Sequence, residues 1–188
     1  MTAEELAILV IQACTDEQVD HMLTGAFAIN TYGIPRSTKD VDVVLNMIGF
    51  DPIGRVANRL APVAEFDRQI QFDTLTWGKR LVGVVKSGPP LKIELFELFD
   101  DPFVKVQFNR RVCIFSDQLQ CSAWLPTAED VIVQKLRWGR SKDLDDARDV
   151  LAVQGQETLD MRYIEKWCAA HHTTERLRKA LSEIPPLD

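Results

Sequence analysis

The stretch that decides the fold is Asp40-Val41-Asp42-Val43-Val44-Leu45. Its apolar, β-branched residues read as a strand, and a strand alternates its side chains between two faces. Val41, Val43 and Leu45 therefore share one face, suited to a core. Asp40 and Asp42 share the other, a few ångströms apart. Like charges that close repel, and each raises the other's pKa. A divalent cation between them relieves the repulsion. Ligation by oxygen alone suits Mg²⁺, which takes one or two carboxylates, waters and substrate phosphates. A lone pair of this kind reads equally as a solvated edge strand, so its surroundings decide.

Working outward on the N-terminal side, Val19 to Leu23 forms an apolar approach to Thr24-Gly25-Ala26, and a helix is expected from Ala26 to about Tyr32. Glycine at a strand-to-helix turn lets the backbone come close to a ligand. Free N–H groups and the positive end of the helix dipole then suit phosphate. Between this helix and the acid strand lie Gly33, Pro35, Arg36, Ser37 and Thr38, which place a guanidinium and two hydroxyls just ahead of Asp40. Gly25, Ala26, Arg36, Ser37 and Thr38 are thus the candidate phosphate-binding residues.

On the C-terminal side, Gly88-Pro89-Pro90 sets off a second apolar strand, Leu91-Lys92-Ile93-Glu94-Leu95-Phe96. Acidic residues are depleted in strands, so Glu94 between Ile93 and Leu95 asks for a reason. If this strand lies beside the first, three acids converge. A two-metal site needs such a trio to hold both ions and orient an attacking hydroxyl.

The combination Gly25-Ala26, Asp40-Val41-Asp42-Val43 and Ile93-Glu94-Leu95 resembles the nucleotidyltransferase superfamily. That superfamily includes DNA polymerase beta and the kanamycin-type antibiotic nucleotidyltransferases. The 13 residues between Ala26 and Asp40 fall within its usual spacing. More narrowly, the stretch from Gly25 to Asn30, with Gly33 and Arg36-Ser37-Thr38-Lys39-Asp40-Val41-Asp42, is similar to the minimal nucleotidyltransferases of abortive-infection toxin–antitoxin systems. Glu129 to Leu136 and Lys142-Asp143-Leu144-Asp145-Asp146 look like the helical part of that group. The resemblance spans roughly residues 19–152. It departs at Ala26, where the family turn usually has glycine or serine.

The resemblance implies a mixed α/β sheet flanked by helices over residues 1–125, with a helical segment over 126–188 packed on it. It implies a metal-dependent transfer of NMP from an NTP to an acceptor hydroxyl, on RNA or protein. Asp40, Asp42 and Glu94 would hold two Mg²⁺ ions, and Lys135 would act on the phosphates as a further catalytic residue. An antitoxin partner is implied for a toxin. The alternative, favoured by Ala26, is a binding or regulatory module that keeps the fold without turnover. A phosphoesterase using the same acids has no specific support.

Lys135 sits at the edge of an apolar helical stripe, where it either snorkels to solvent or reaches an acidic cleft. Asp143 and Asp146 either orient it or begin a helix where the dipole favours acids. Arg137, Arg140 and Lys142 read as a solvated surface, with Lys142 and Asp146 as an i,i+4 pair.

The remaining pattern is coarser. Thr2-Ala3-Glu4-Glu5 is a capping box for a helix from Ala3 to about Cys14. Asp51-Pro52 starts a helix to about Leu60. From Val63 to Phe115 the sequence reads as strands, at Ile70–Trp77, Leu81–Lys86, Leu91–Leu98 and Arg111–Phe115. Helices are expected at about 127–139, 142–154, 160–171 and 174–184, with Gly139 closing the first. The four tryptophans are scattered and read mostly as core, and His21 as a core or surface residue.

With 188 residues, 46% hydrophobic, the chain has enough apolar content for a true core. Its net charge of −6 argues against a protein that coats nucleic acid generally, although a local basic groove would suffice for RNA. The four cysteines form no C-x-x-C, so neither disulfides nor a zinc site are expected. No run of 18 apolar residues and no secretory leader is evident, which suggests a cytoplasmic protein without a membrane span.

Overall fold

The structure, a computed structural model, describes residues 1–67, 69–73 and 78–184. Two compact units are present. The first comprises residues 1–27 and 37–125, the second residues 28–36 and 126–188.

In the first unit, α1 (Ala3–Asp16) opens on the expected capping box: Glu5 N–H donates to Thr2 Oγ1 (3.2 Å), and Thr2 N–H to Glu5 Oε2 (2.8 Å). It leads into β1 (His21–Leu23), β2 (Asp40–Leu45) and α3 (Pro52–Leu60). Four more strands follow, β3 (Ala64–Phe66), β4 (Gln71–Asp73), β5 (Gly78–Val85) and β6 (Lys92–Glu97). Next come α4 (Pro102–Arg110) and a separate hairpin, β7 (Val112–Ser116) with β8 (Cys121–Leu125). Among the described residues the main sheet runs β1-β2-β6-β5-β3, with β4 also pairing β5. Only β2 and β6 are parallel; the other pairs are antiparallel.

The inner face of this sheet explains its order. Val41, Val43, Leu45, Ile93 and Leu95 are each fully buried. Side chains of this size contribute about 1.5–3 kcal/mol each on burial. That anchorage fixes β2 and β6 and leaves their alternate residues on an open face.

Two expectations need correction. The strand-like reading of 63–115 missed α4, because Phe103, Val104, Val106 and Phe108 favour strands by type. Asp101-Pro102 overrides them: the Asp101 carboxylate accepts from Phe103 N–H and Val104 N–H, and proline takes the first helical turn. The three described tryptophans are not core. Trp124 is 40% exposed, and Trp138 and Trp167 are half-buried; Trp77 lies outside the described residues. Of the strand expected at Ile70–Trp77, Gln71–Asp73 forms β4, and 74–77 lie outside the described residues. The strand β8 was not anticipated.

The turn helix α2 (Ala26–Tyr32) begins in the first unit and ends in the second. Otherwise the second unit is helical: α5 (Ala128–Trp138), α6 (Ser141–Gln154), α7 (Met161–Ala170) and α8 (Thr174–Ser182). Thr127 caps α5 by accepting from Asp130 N–H (3.3 Å), and Gly139 ends it in the left-handed region (φ +69°). Ile132, Val133, Leu136, Val150 and Ile164 supply its core. No described helix is long and apolar enough to cross a membrane.

Candidate active site

The candidate site of the first unit lies on the open face of β2 and β6. Asp40 is exposed and Asp42 half-buried. The parallel register sets Asp40 beside Lys92 and Asp42 beside Glu94, so the two strands expected to be neighbours are neighbours. Thr38 closes the start of β2: its hydroxyl accepts from Asp40 N–H and donates to Asp40 O, both at 3.1 Å. Ser37 is exposed.

Gly25 sits in the turn between β1 and α2 with φ +62°, where a side chain is strained. Thr24 N–H donates to Asp42 O at 2.9 Å, tying this turn to β2. A Cβ on Gly25 would lie 2.0 Å from Asp42 Oδ2. The glycine therefore leaves room for the Asp42 carboxylate as well as supplying the turn. Ala26 is buried as the first residue of α2.

Glu94 carries a feature that the sequence did not signal. Arg80 on β5 pairs with Phe96 in register, one step diagonal to Glu94. Its guanidinium lies 5.8 Å from the Phe96 ring centroid, and Nη1 donates to Glu94 Oε2 at 2.7 Å. Among the described residues, no three of His, Cys, Asp and Glu are grouped to hold a metal ion. The donor set still fits Mg²⁺ in kind: hard carboxylate oxygens on one face, with Gly25 making room for the Asp42 carboxylate itself.

The second unit holds the other predicted cations. Lys135 is buried on α5; its Nζ donates to Asp146 Oδ2 (2.8 Å) and Asp143 Oδ1 (3.1 Å). Arg36 donates from Nε and Nη2 to the two carboxylate oxygens of Asp146, both at 3.3 Å. Arg140 does the same to Asp143, at 2.5 and 3.1 Å. Asp146 is thus turned to Lys135 and Arg36, and not to the exposed Lys142 as the i,i+4 pattern suggested. Burial is the largest influence on Asp143 and opposes its charge. Hydrogen bonds from Arg140 and Lys135 and their positive charges outweigh it and hold the carboxyl below its ordinary value. Asn30 clamps the Arg36 backbone, its amide donating to Arg36 O and accepting from Arg36 N–H at 2.9 Å each. Three cations surround two buried carboxylates, and Arg36 and Arg140 remain nearly half exposed (44% and 46%).

No protein-family model matches the sequence, and no curated protein matches it. Solved structures do. The antibiotic-resistance factor ANT(2'')-Ia superposes with a TM-score of 0.60 at 10% identity, over 94% of both chains. Its complex with adenylyl-2''-tobramycin gives 0.60 at 11%, over 92% of this chain and 98% of that one. An antigenic nucleotidyltransferase-like protein from Paracoccidioides brasiliensis gives 0.56 at 19%, over 97% and 94%. JHP933 from Helicobacter pylori gives 0.54 at 17%, over 96% and 89%. The chain shares the mixed α/β fold of these structures.

Proposed function

We infer that the protein is a metal-dependent nucleotidyltransferase, moving NMP from an NTP to an acceptor hydroxyl. The observation that carries this reading is the open face of β2 and β6, with Asp40 and Asp42 on one strand and Glu94 in register with Asp42. The acceptor oxygen bonds to the α-phosphorus, the bond to pyrophosphate breaks, and the hydroxyl proton leaves to a base, a role assigned to Glu94. Two Mg²⁺ ions held by Asp40 and Asp42, with Glu94 completing the second site, would neutralise phosphate charge and lower the pKa of the hydroxyl. The chain's own contribution is positioning and fixed charge. Gly25 and Ala26 bring backbone close to the ligand, and Ser37 and Thr38 supply hydroxyls. For the second unit, the nearly half-exposed Arg36 guanidinium, set with Lys135 on the Asp146 carboxylate, supports a phosphate role for Arg36 and Lys135.

The acceptor class is proposed to be RNA or protein, in a toxin of a toxin–antitoxin pair. This rests on the similarity of the stretches around residues 25–42 and 129–146 to abortive-infection toxins. The protein seen with adenylyl-2''-tobramycin makes an aminoglycoside hydroxyl the acceptor to test beside them. A second reading, a module that binds without turnover, is favoured by the Arg80 hold on Glu94 and by Ala26 in the turn.

The test is incubation with each α-labelled NTP, Mg²⁺ and, in separate arms, cellular RNA, protein extract and tobramycin. Asp42→Ala is the control. Label transferred by the wild type alone supports the enzyme and names nucleotide and acceptor. Absence of transfer in every arm, with nucleotide binding intact, supports the non-catalytic module.

A further inference from the structure

The third carboxylate of the site already has a cation. On β6, Glu94 is neighboured by Asp42 in register on one side and by Val82 on the other. Arg80, two residues from Val82 on the same face of β5, reaches diagonally to it. The pair is well shielded, with side chains 27% and 16% exposed, and its Nη1–Oε2 distance of 2.7 Å is that of a charge-assisted hydrogen bond. The remainder of the guanidinium is less well served. Among the described residues, the buried Arg80 Nε has no acceptor. A buried donor left unsatisfied costs about 1–3 kcal/mol. This pose is therefore held mainly by Glu94, and the Phe96 ring at 5.8 Å gives the guanidinium a second resting place on the same face.

We propose that Arg80 is a resident counter-cation that keeps the Glu94 position in the metal-free protein and is exchanged there for the second divalent ion. The inference rests on the metal-dependent reading above. Arg80 is a positioning residue in this scheme: it acts on Glu94 and touches no reacting atom. Two consequences follow from its charge. The second ion binds more weakly than the first, because it must displace a guanidinium. The triphosphate adds negative charge to the face, so substrate tightens this weaker site further.

The experiment is Mn²⁺ binding to the nucleotide-free protein, followed by calorimetry and by the EPR signal of free Mn²⁺. It uses the wild type, Arg80→Met and Asp42→Asn, with circular dichroism to check folding. Removing one positive charge a few ångströms from a divalent ion tightens its binding about tenfold even in a high dielectric. Arg80→Met should therefore tighten the weaker Mn²⁺ site by about that factor. A second readout needs no altered site: in the ¹⁵N-arginine-labelled wild type, the Arg80 Nε–H resonance, assigned with Arg80→Lys, should shift as Mg²⁺ is added. Asp42-dependent Mn²⁺ binding that is unchanged or weakened in Arg80→Met overturns the proposal and leaves the metal reading standing. So does a static Arg80 resonance under bound Mg²⁺, which decides the matter if Arg80→Met misfolds. Absence of any Asp42-dependent Mn²⁺ binding overturns both.

Discussion

Gly25→Ala is the substitution that most sharply tests the site. Two costs can be worked from the structure. The first is conformational: at φ +62° an L-residue costs about 1–2 kcal/mol. At ~2–4 °C per kcal/mol for a chain of this length, the melting temperature should fall by roughly 2–8 °C. The second cost is specific to function. The new Cβ would stand 2.0 Å from Asp42 Oδ2. Carbon and oxygen in ordinary contact need well over 3 Å. The turn cannot retreat, because Thr24 N–H is bonded to Asp42 O. The carboxylate must move by more than about 1 Å, and a displacement of that size at a reacting centre costs about 10²-fold in rate.

Gly49→Ala separates the two costs. Gly49 also has a positive φ (+97°), but a Cβ there would meet nothing within 4 Å. It should lose stability without losing transfer. The assay is the initial rate of label transfer, beside a thermal melt, for both variants. Gly25→Ala with transfer within about threefold of the wild type would refute the reasoning, since a carboxylate of the proposed site cannot be displaced without consequence.

Three further outcomes are expected. Lys135→Met removes the buried cation shared by Asp143 and Asp146 and should destabilise the protein by about 3 kcal/mol in urea unfolding; Arg140 and Arg36 keep each carboxylate from being left wholly uncompensated. Stability should fall with acidification in two windows. Burial depresses the His21 pKa, so the unfolded chain takes up the proton first and stability declines as pH drops below about 6.5; His21→Leu should flatten that limb of a denaturation-versus-pH curve. Asp143, also held below its ordinary value, contributes stability that is present above about pH 3.8 and lost as pH falls past it, a limb that Asp143→Asn should remove. Glu94→Gln gives a test of sign: if crowding among the acids dominated, it would stabilise the protein. Because it leaves the Arg80 guanidinium half-buried without a carboxylate, it should destabilise by about 1–3 kcal/mol in the same urea assay.

Local rules made the site's strands legible and hid its partners. The alternation in Asp40–Leu45 and Lys92–Glu97 needs only the strand period, and the burial pattern obeys it. Gly25 was readable as a turn glycine. Its contact with the Asp42 carboxylate was not, because it depends on β1 lying beside β2. The hold of Arg80 on Glu94 was hidden for the same reason: a diagonal pair across β5 and β6 depends on a register that no local pattern states. In α4 the local signals conflicted, strand-favouring residues against the Asp101-Pro102 start, and the cap prevailed. On α6, the i,i+4 rule offered Lys142 to Asp146, but it describes exposed helix faces. Asp146 is buried, and it takes the cations that reach it there, the buried Lys135 and the half-exposed Arg36.

The three acids of the open face are thus not equivalent, and their differences order the chemistry. Asp40, at the exposed start of β2, has its charge moderated by water. Glu94 has a guanidinium. Asp42 lies half-buried between the Gly25 turn and the Glu94 strand, with its backbone carbonyl taken by Thr24 N–H. On the metal-dependent reading proposed above, a divalent ion entering this face would be held first by Asp42 and Asp40, which share one strand face. On the same reading Glu94 would become available only when Arg80 yields, so the order of assembly would follow from one diagonal ion pair. A carboxylate trio of the same composition, all equally exposed, would have no such order.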